Sequence, residues 1–598
     1  MGYNHKESNV RTKLQGYVDD LTVLTQTPKQ HQKVLDVLSG FLEWSGMEAK
    51  PSKCKSFAQK VFEKNSKNTK FKATTPKSFS AYDPQLKISG KPISFLQDDP
   101  VKKSIKMLGK WIDGKNRKKE DKTLVKEKLE DYLTKTNDVA LTGVQKSWIY
   151  ANMIIPCLTW ELTIYELPAS FVDTLDSLIT RYLKKWLGVA ICADPNILYR
   201  SREHFGLQLP NIKTCFKKAQ TGVEHKMKHS KDQNIKSLHN AKSKCDLKKV
   251  RWTGNKQLEK VERAIVLDKM AFAGQNNREG LGYRRKVKMA PKEEIAKKIE
   301  ELDEDERIQH AVQLGMQGSW TKWDSIMASD MKWQSLLYSY SPALLKFALN
   351  ATQLTLPTPD NLVRWGKTKM GKCELCKWNS CTLMHVLSGC KVSLNEGRYT
   401  WRHDSILKIL VSEISKHMNN VNAKPSKIGS RQDDIKFVKA GEKKKKCNRK
   451  KKSLLDGAAD WEMFHDLGDK MVFPMYITVT PLRPDMVIVS KSLRTVIMVE
   501  LTSPVEENTV KRNKDKRKKY EDLVFDCQSN KWKTHLICIE VGARGFLAES
   551  VNYMISRLAI TPTIAKPMKK KISLLALRCS YNIYLQRKSR KFTKWDLS

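Results

Sequence analysis

Residues 483–520 read RPDMVIVSKSLRTVIMVELTSPVEENTVKRNKDKRKKY, and their pattern sets the fold expected of the C-terminal part of the chain. Asp485–Ser490 is β-branched and apolar after its acid, and Thr495–Thr502 is similar with an acid near its end, so both read as strands. Residues 491–494 suit a short hairpin loop. With 490 paired to 495, the antiparallel register sets Asp485 opposite Glu500, at a Cβ separation of about 4.5–5.5 Å. Two carboxylates that close repel unless a cation lies between them, which makes them candidate ligands for a hard divalent ion. Both acids end otherwise apolar strands, where an unpaired charge is costly. Thr502 shares a face with Glu500 by the period of two. Residues 506–526 then read as a basic helix, with Lys516, Lys519 and Tyr520 at i, i+3 and i+4.

Working outward, the whole chain is basic. Its 598 residues carry 110 Lys and Arg against 64 Asp and Glu, a net charge of +46. A surplus spread over so long a chain points to a polyanion, nucleic acid above all. No apolar run reaches the ~20 residues a membrane span needs. The best, residues 148–160, is short and holds Pro156. The start, MGYNHKESNV, lacks the apolar stretch of a secretory signal, so an intracellular location, nuclear or cytoplasmic, is expected. Thirteen cysteines, scattered except for four within 373–390, suit a reducing compartment with one metal site.

That cluster is Cys373-x2-Cys376-x8-His385-x4-Cys390, a donor set for tetrahedral zinc in a closed, structural site. Cys381 is an extra thiol able to compete as a ligand. Residues 394–404 continue into a helix that the knuckle supports. Residues 422–455 form a linker with a lysine-rich run, 443–452, that suits solvation, phosphate contact or nuclear import. A helix is expected to begin at Ala458 and run through Leu467. After the two strands come a strand over 535–541 and a helix over 545–558, so 456–598 reads as one α/β domain.

At the other end, Lys13-Leu-Gln-Gly-Tyr17-Val-Asp19-Asp20 sets an adjacent acidic pair between apolar residues, as metal-dependent nucleotidyl transfer requires. An amphipathic helix over 29–46, a lysine loop (Lys53-Cys54-Lys55-Ser56) and a strand with Leu108-Gly109-Lys110-Trp111 follow. This order resembles the second half of a reverse-transcriptase palm, from motif C through motif D to the primer grip. Such a palm also uses an upstream strand with a further aspartate, and only sixteen residues precede Tyr17, so polymerisation by these residues alone is not expected. Residues 116–225 have stacked helical periodicity, as in a thumb; 226–330 are basic and helical, with Trp320, Trp323 and Trp333 packing a helix over 291–317.

The full order resembles the C-terminal part of the polyprotein of non-LTR retrotransposons that carry a restriction-like endonuclease. The resemblance rests on TLMHVLSGC (382–390), GRYTWRHD (397–404), RPDMVIVS (483–490), VELTSPVEEN (499–508), K-x-x-K-Y (516–520) and EVGARGF (540–546). It implies a multidomain, mainly α chain with α/β parts: a partial palm (1–115), a thumb (116–225), a basic connector (226–330), a zinc-knuckle region (331–421), the linker (422–455) and a nuclease of the PD-(D/E)xK type (456–598). It implies Mg²⁺ on Asp485 and Glu500, structural Zn²⁺ on the knuckle, and target DNA and element RNA as partners. The acids Asp19 and Asp20 would be remnants of a polymerase site. Thr502 stands where the E-x-K lysine belongs, and Lys516 or Lys519 matches the basic residue that such proteins supply from the next helix. Lys511, Arg512 and Lys514 make this helix unusually basic. The competing reading is a nucleic-acid-binding remnant with vestigial acids.

Overall fold

The computed structural model describes residues 3–596 except 5–7, 9, 13, 18–19, 57, 64–76, 96–103, 108–109, 114–117, 276–289, 328–339, 424–452 and 469. The lysine-rich run and Trp333 lie outside the described residues. The chain divides into two compact units. Met1–Leu141, Lys146–Tyr182 and Pro210–Asp303 form the first; Thr142–Gln145, Leu183–Leu209 and Glu304–Ser598 form the second.

In the first unit, β1 (Leu14–Tyr17) pairs antiparallel with β2 (Asp20–Val23), Tyr17 facing Asp20. Helix α1 (Pro28–Ser45) is capped by the Thr27 side chain, starts at Pro28, and stops at Gly46, whose φ of +68° is the left-handed conformation of a helix end. Leu35, Leu86 and Ile88 make a small core there. Further on, β3 (Ser104–Met107) pairs antiparallel with β4 (Lys110–Asp113), and the glycine between them lies outside the described residues. The helical periodicity that follows is realised. Helix α2 (Lys118–Asp138) buries Val125, Leu129 and Leu133. The stretch over 143–164 is helical with a π-turn at Tyr150–Ile154. That wider turn accommodates Pro156, which lacks an N–H and would crowd the preceding turn of a regular helix.

The second unit holds a four-stranded sheet in the order β5 (Trp461–His465), β6 (Met486–Ser490), β7 (Thr495–Thr502) and β8 (Lys533–Glu540). The first two pairings are antiparallel and the last is parallel. Residue 490 does pair with 495 and 486 with 499, so the register places 485 opposite 500. Alternation divides the strands between two cores. Met486, Ile488, Ile497, Val499 and Leu501 face one side. Val487, Val489, Val496 and Met498 face the other, with Tyr520, Leu523 and Cys527. Both faces are sealed, which explains why these strands are nearly continuous apolar runs.

The structure corrects three expectations here. Residues 461–465 are an edge strand rather than part of a helix. Trp461 is buried, and the Asn422 side chain both accepts from its N–H (3.1 Å) and donates to its carbonyl (2.9 Å). The basic helix is broken: after a 3₁₀ turn come α11 (Thr509–Lys519) and α12 (Glu521–Ser529), meeting at Tyr520. Tyr520 is fully buried and its hydroxyl donates to the Arg483 carbonyl (2.9 Å), an anchor that a straight helix would lose. The next helix, α13, starts at Glu549 (Glu549–Arg557) rather than at Gly545, because Leu547 and Ala548 are taken up in bridges to Val541 and Ile326. The unit also reaches upstream of residue 456. Helix α10 (Arg398–Asn422) sends Ile406, Leu407, Leu410 and Ile414 into the same core as the sheet and α14 (Pro562–Leu585). In that unit Trp320 and Trp323 pack with Phe205 and Phe546, beside Ala311 and Ile308.

Candidate carboxylate and metal sites

At the end of the hairpin the acids are held by the backbone and by basic side chains from two helices. The Leu501 N–H donates to Asp485 Oδ2 (2.6 Å) and the Asp485 N–H to Glu500 Oε2 (3.2 Å). From α11, Lys516 Nζ donates to Glu500 Oε1. Glu500 is 2 % exposed. Burial, and then the neighbouring Asp485 carboxylate, raise its carboxyl above the usual range against the pull of Lys516. Two acids in mutual repulsion are a donor set that a divalent cation would relieve.

The two candidate lysines part company. Lys516 meets Glu500, whereas Lys519 Nζ donates to the Tyr520 hydroxyl (3.1 Å) and lies over its ring at 4.6 Å. Both lysines lie on α11 and take different partners from it. Thr502, in place of the expected lysine, leaves Oγ1 buried without a hydrogen-bond partner, as does Ser503 Oγ. Glu540 lies opposite Thr502 on β8 and is occupied by Asn513 (2.8 Å) and Ser550 (2.6 Å).

His403 also reaches this site, and the sequence reading assigned it no role. Its Nε2 lies 3.3 Å from Asp485 Oδ2 and 3.2 Å from the Leu501 carbonyl, and its Nδ1 lies 3.0 Å from Asp404 Oδ1. Burial opposes its charge, but the hydrogen bonds to Asp404 and Asp485 prevail and push its pKa up to about 10. The signal was present as a histidine inside a helical motif. Its distance in sequence from Asp485 hid the contact.

A buried ion pair supports the same loop. Arg544 Nη1 donates to Glu506 Oε2 (2.7 Å) and to Glu507 (3.0 Å), and its N–H donates to Glu506 Oε1 (2.7 Å). A Cβ on Gly542 would come within 2.3 Å of Glu506, so the glycine is needed for this approach.

Sγ of Cys373, Cys376 and Cys390 and a ring nitrogen of His385 lie within 4.8 Å of one another. The Cys373–Cys390 sulfur distance is 3.9 Å. A tetrahedron with zinc–sulfur bonds of about 2.3 Å has sulfur–sulfur edges of about 3.8 Å. Burial keeps the His385 pKa low, which favours the neutral ligand form. Cys381 is buried but outside this group, and burial pushes its thiol up. His385–Gly389 is a π-turn, and it leads into Cys390 in extended conformation.

Of the acidic pair near the N-terminus, Asp19 lies outside the described residues. Asp20, on β2, is exposed.

Over residues 3–112 the chain matches the family model for reverse transcriptase (RNA-dependent DNA polymerase). That match relates the protein to reverse transcriptases, whose partners are RNA and DNA. No curated protein matches the chain. Among the described residues no helix is long and apolar enough to cross a membrane.

Proposed function

We propose that this chain is a retroelement protein of the non-LTR type, whose second unit nicks DNA with Mg²⁺ held by Asp485 and Glu500. The observation that carries the reading is the opposed acid pair at a sealed sheet end, with Lys516 at Glu500. A magnesium ion bound there would polarise the scissile phosphate and lower the pKa of an attacking water. Lys516 supplies the basic group for which Thr502 leaves no room on the strand, and stands where it can stabilise charge developing on the phosphate. Lys519 is assigned to holding Tyr520. The basic face of α11, with Lys511, Arg512 and Lys514, serves the DNA backbone without reading sequence. Zn²⁺ on Cys373, Cys376, His385 and Cys390 folds the knuckle, and the reverse-transcriptase-like segment, with Asp19 and Asp20, contacts nucleic acid.

The test is conversion of supercoiled plasmid to open circles by the full chain with Mg²⁺, compared with Asp485→Ala and Glu500→Ala. Nicking by the parent alone supports the assignment. A folded chain that nicks no duplex, yet binds DNA steeply dependent on salt and indifferent to Mg²⁺, would replace it with a non-catalytic binding protein.

A further inference from the structure

One face of α10 connects the cysteine group to the carboxylates. Tyr399, Arg402 and His403 occupy i, i+3 and i+4, and each binds a different part of the unit. The Tyr399 hydroxyl meets the π-turn that carries His385: it donates to the Val386 carbonyl (3.0 Å) and accepts from the Cys390 N–H (3.1 Å). Arg402 is almost fully buried. It donates through Nη1 to the Leu387 carbonyl (3.0 Å) and Ser580 Oγ (3.0 Å), and through Nη2 to the Ser503 carbonyl (2.8 Å), just past the end of β7. His403 reaches Asp485 and Leu501 as described. The motif Gly397–Asp404 therefore joins the knuckle to the acid hairpin by short polar contacts through one rigid turn of helix.

We propose that the metal-loaded knuckle is a positioning element of the carboxylate site, acting through Tyr399, Arg402 and His403. Ligation of His385 and Cys390 holds the π-turn in the form that offers its carbonyls to Tyr399 and Arg402. These contacts set the rotation of α10, and His403 transmits it to the Asp485 carboxylate. His403 is a positioning residue in this scheme. The inference rests on the proposed nuclease site for its purpose, but the coupling has a readout of its own. The Leu501 amide is protected by Asp485 Oδ2 and the Asp485 amide by Glu500 Oε2, so their hydrogen exchange reports the geometry of the acids.

The experiment measures exchange across 484–502 by mass spectrometry in the full chain with its zinc, after zinc removal by a chelator, and in His403→Gln with zinc retained. Zinc content is measured alongside, and β8 residues Ile537–Ile539 serve as the reference. The expected result is exchange at Asp485 and Leu501 faster on the order of tenfold in both altered samples, with β8 unchanged. His403→Gln keeps the fold in view should chelation unfold the unit. Unchanged exchange at these amides in His403→Gln, unchanged exchange after zinc removal from a chain that stays folded, or a purified folded chain that binds no zinc, would overturn the proposal. Faster exchange in a chain that never nicks DNA would uphold the coupling and refute the nuclease reading instead.

Discussion

Two acidic hairpins stand in this molecule, and their surroundings differ. β1 and β2 form a two-stranded ribbon whose Leu14, Leu21 and Asp20 are exposed. β6 and β7 lie inside a four-stranded sheet sealed on both faces, with Glu500 buried and both acids bonded to backbone amides. A two-stranded ribbon alone cannot bury a face, so Asp20 stays in water, where charge is cheap and position loose. A sealed sheet end makes the same residue type costly unless it is hydrogen-bonded and paired, and that cost restricts it to one geometry. Preorganised carboxylates are therefore found in the second hairpin.

Breaking this contrast at its strongest point comes first. Asp485→Ala or Glu500→Ala should lower plasmid nicking at least about 100-fold, whereas Asp20→Ala should leave it within a few-fold of the parent. A comparable loss from Asp20→Ala would mean that the exposed hairpin, not the sealed one, carries the chemistry. Next is the buried Arg544. Replacing it with alanine strands Glu506 and Glu507, and should cost about 3–5 kcal/mol in denaturant unfolding of the second unit. A loss under about 1 kcal/mol would show the loop to be wetter than its packing implies.

Lys516→Ala should reduce nicking about 100-fold with DNA binding little changed, and Lys519→Ala only a few-fold, since that lysine supports Tyr520. Equal losses would erase the distinction drawn between them. The smallest effect concerns Asp460, at the start of β5. Burial works against its charge, but bonds from Ser490 and Ser492 prevail and hold its carboxyl down at about 2. A folded pKa below the unfolded one contributes stability above about pH 4, lost as pH falls toward 2. Asp460→Asn should therefore flatten acid unfolding over that window, seen in pH-dependent melts.

Much of the sheet was legible from residues alone. The β-branched runs and the four-residue loop between them defined the hairpin, and its antiparallel register set Asp485 opposite Glu500. The C-x2-C and H-x4-C spacings named the four residues whose ligand atoms converge. The helices over 118–138 and 169–187 followed from the apolar spacing of 116–225, and Gly188, with φ +65°, ends the second. These are local features, settled by periodicity and by what a neighbouring residue can reach.

Tertiary structure decided what local pattern could not. Trp461–His465 has a composition that a helix also tolerates, and only pairing with Met486–Ser490 and the Asn422 clasp make it a strand. Lys516 and Lys519 look equivalent on a helical wheel, and they separate because packing brings Glu500 within reach of the first and the Tyr520 hydroxyl and ring within reach of the second. His403 joins Asp485 from 82 residues away because α10 packs on the sheet. The sequence by itself determined the donor types and their near neighbours, because those depend on spacing along one element. Which donors share a site was decided by packing between elements, where the cost of leaving a buried charge or amide unpaired selects one arrangement.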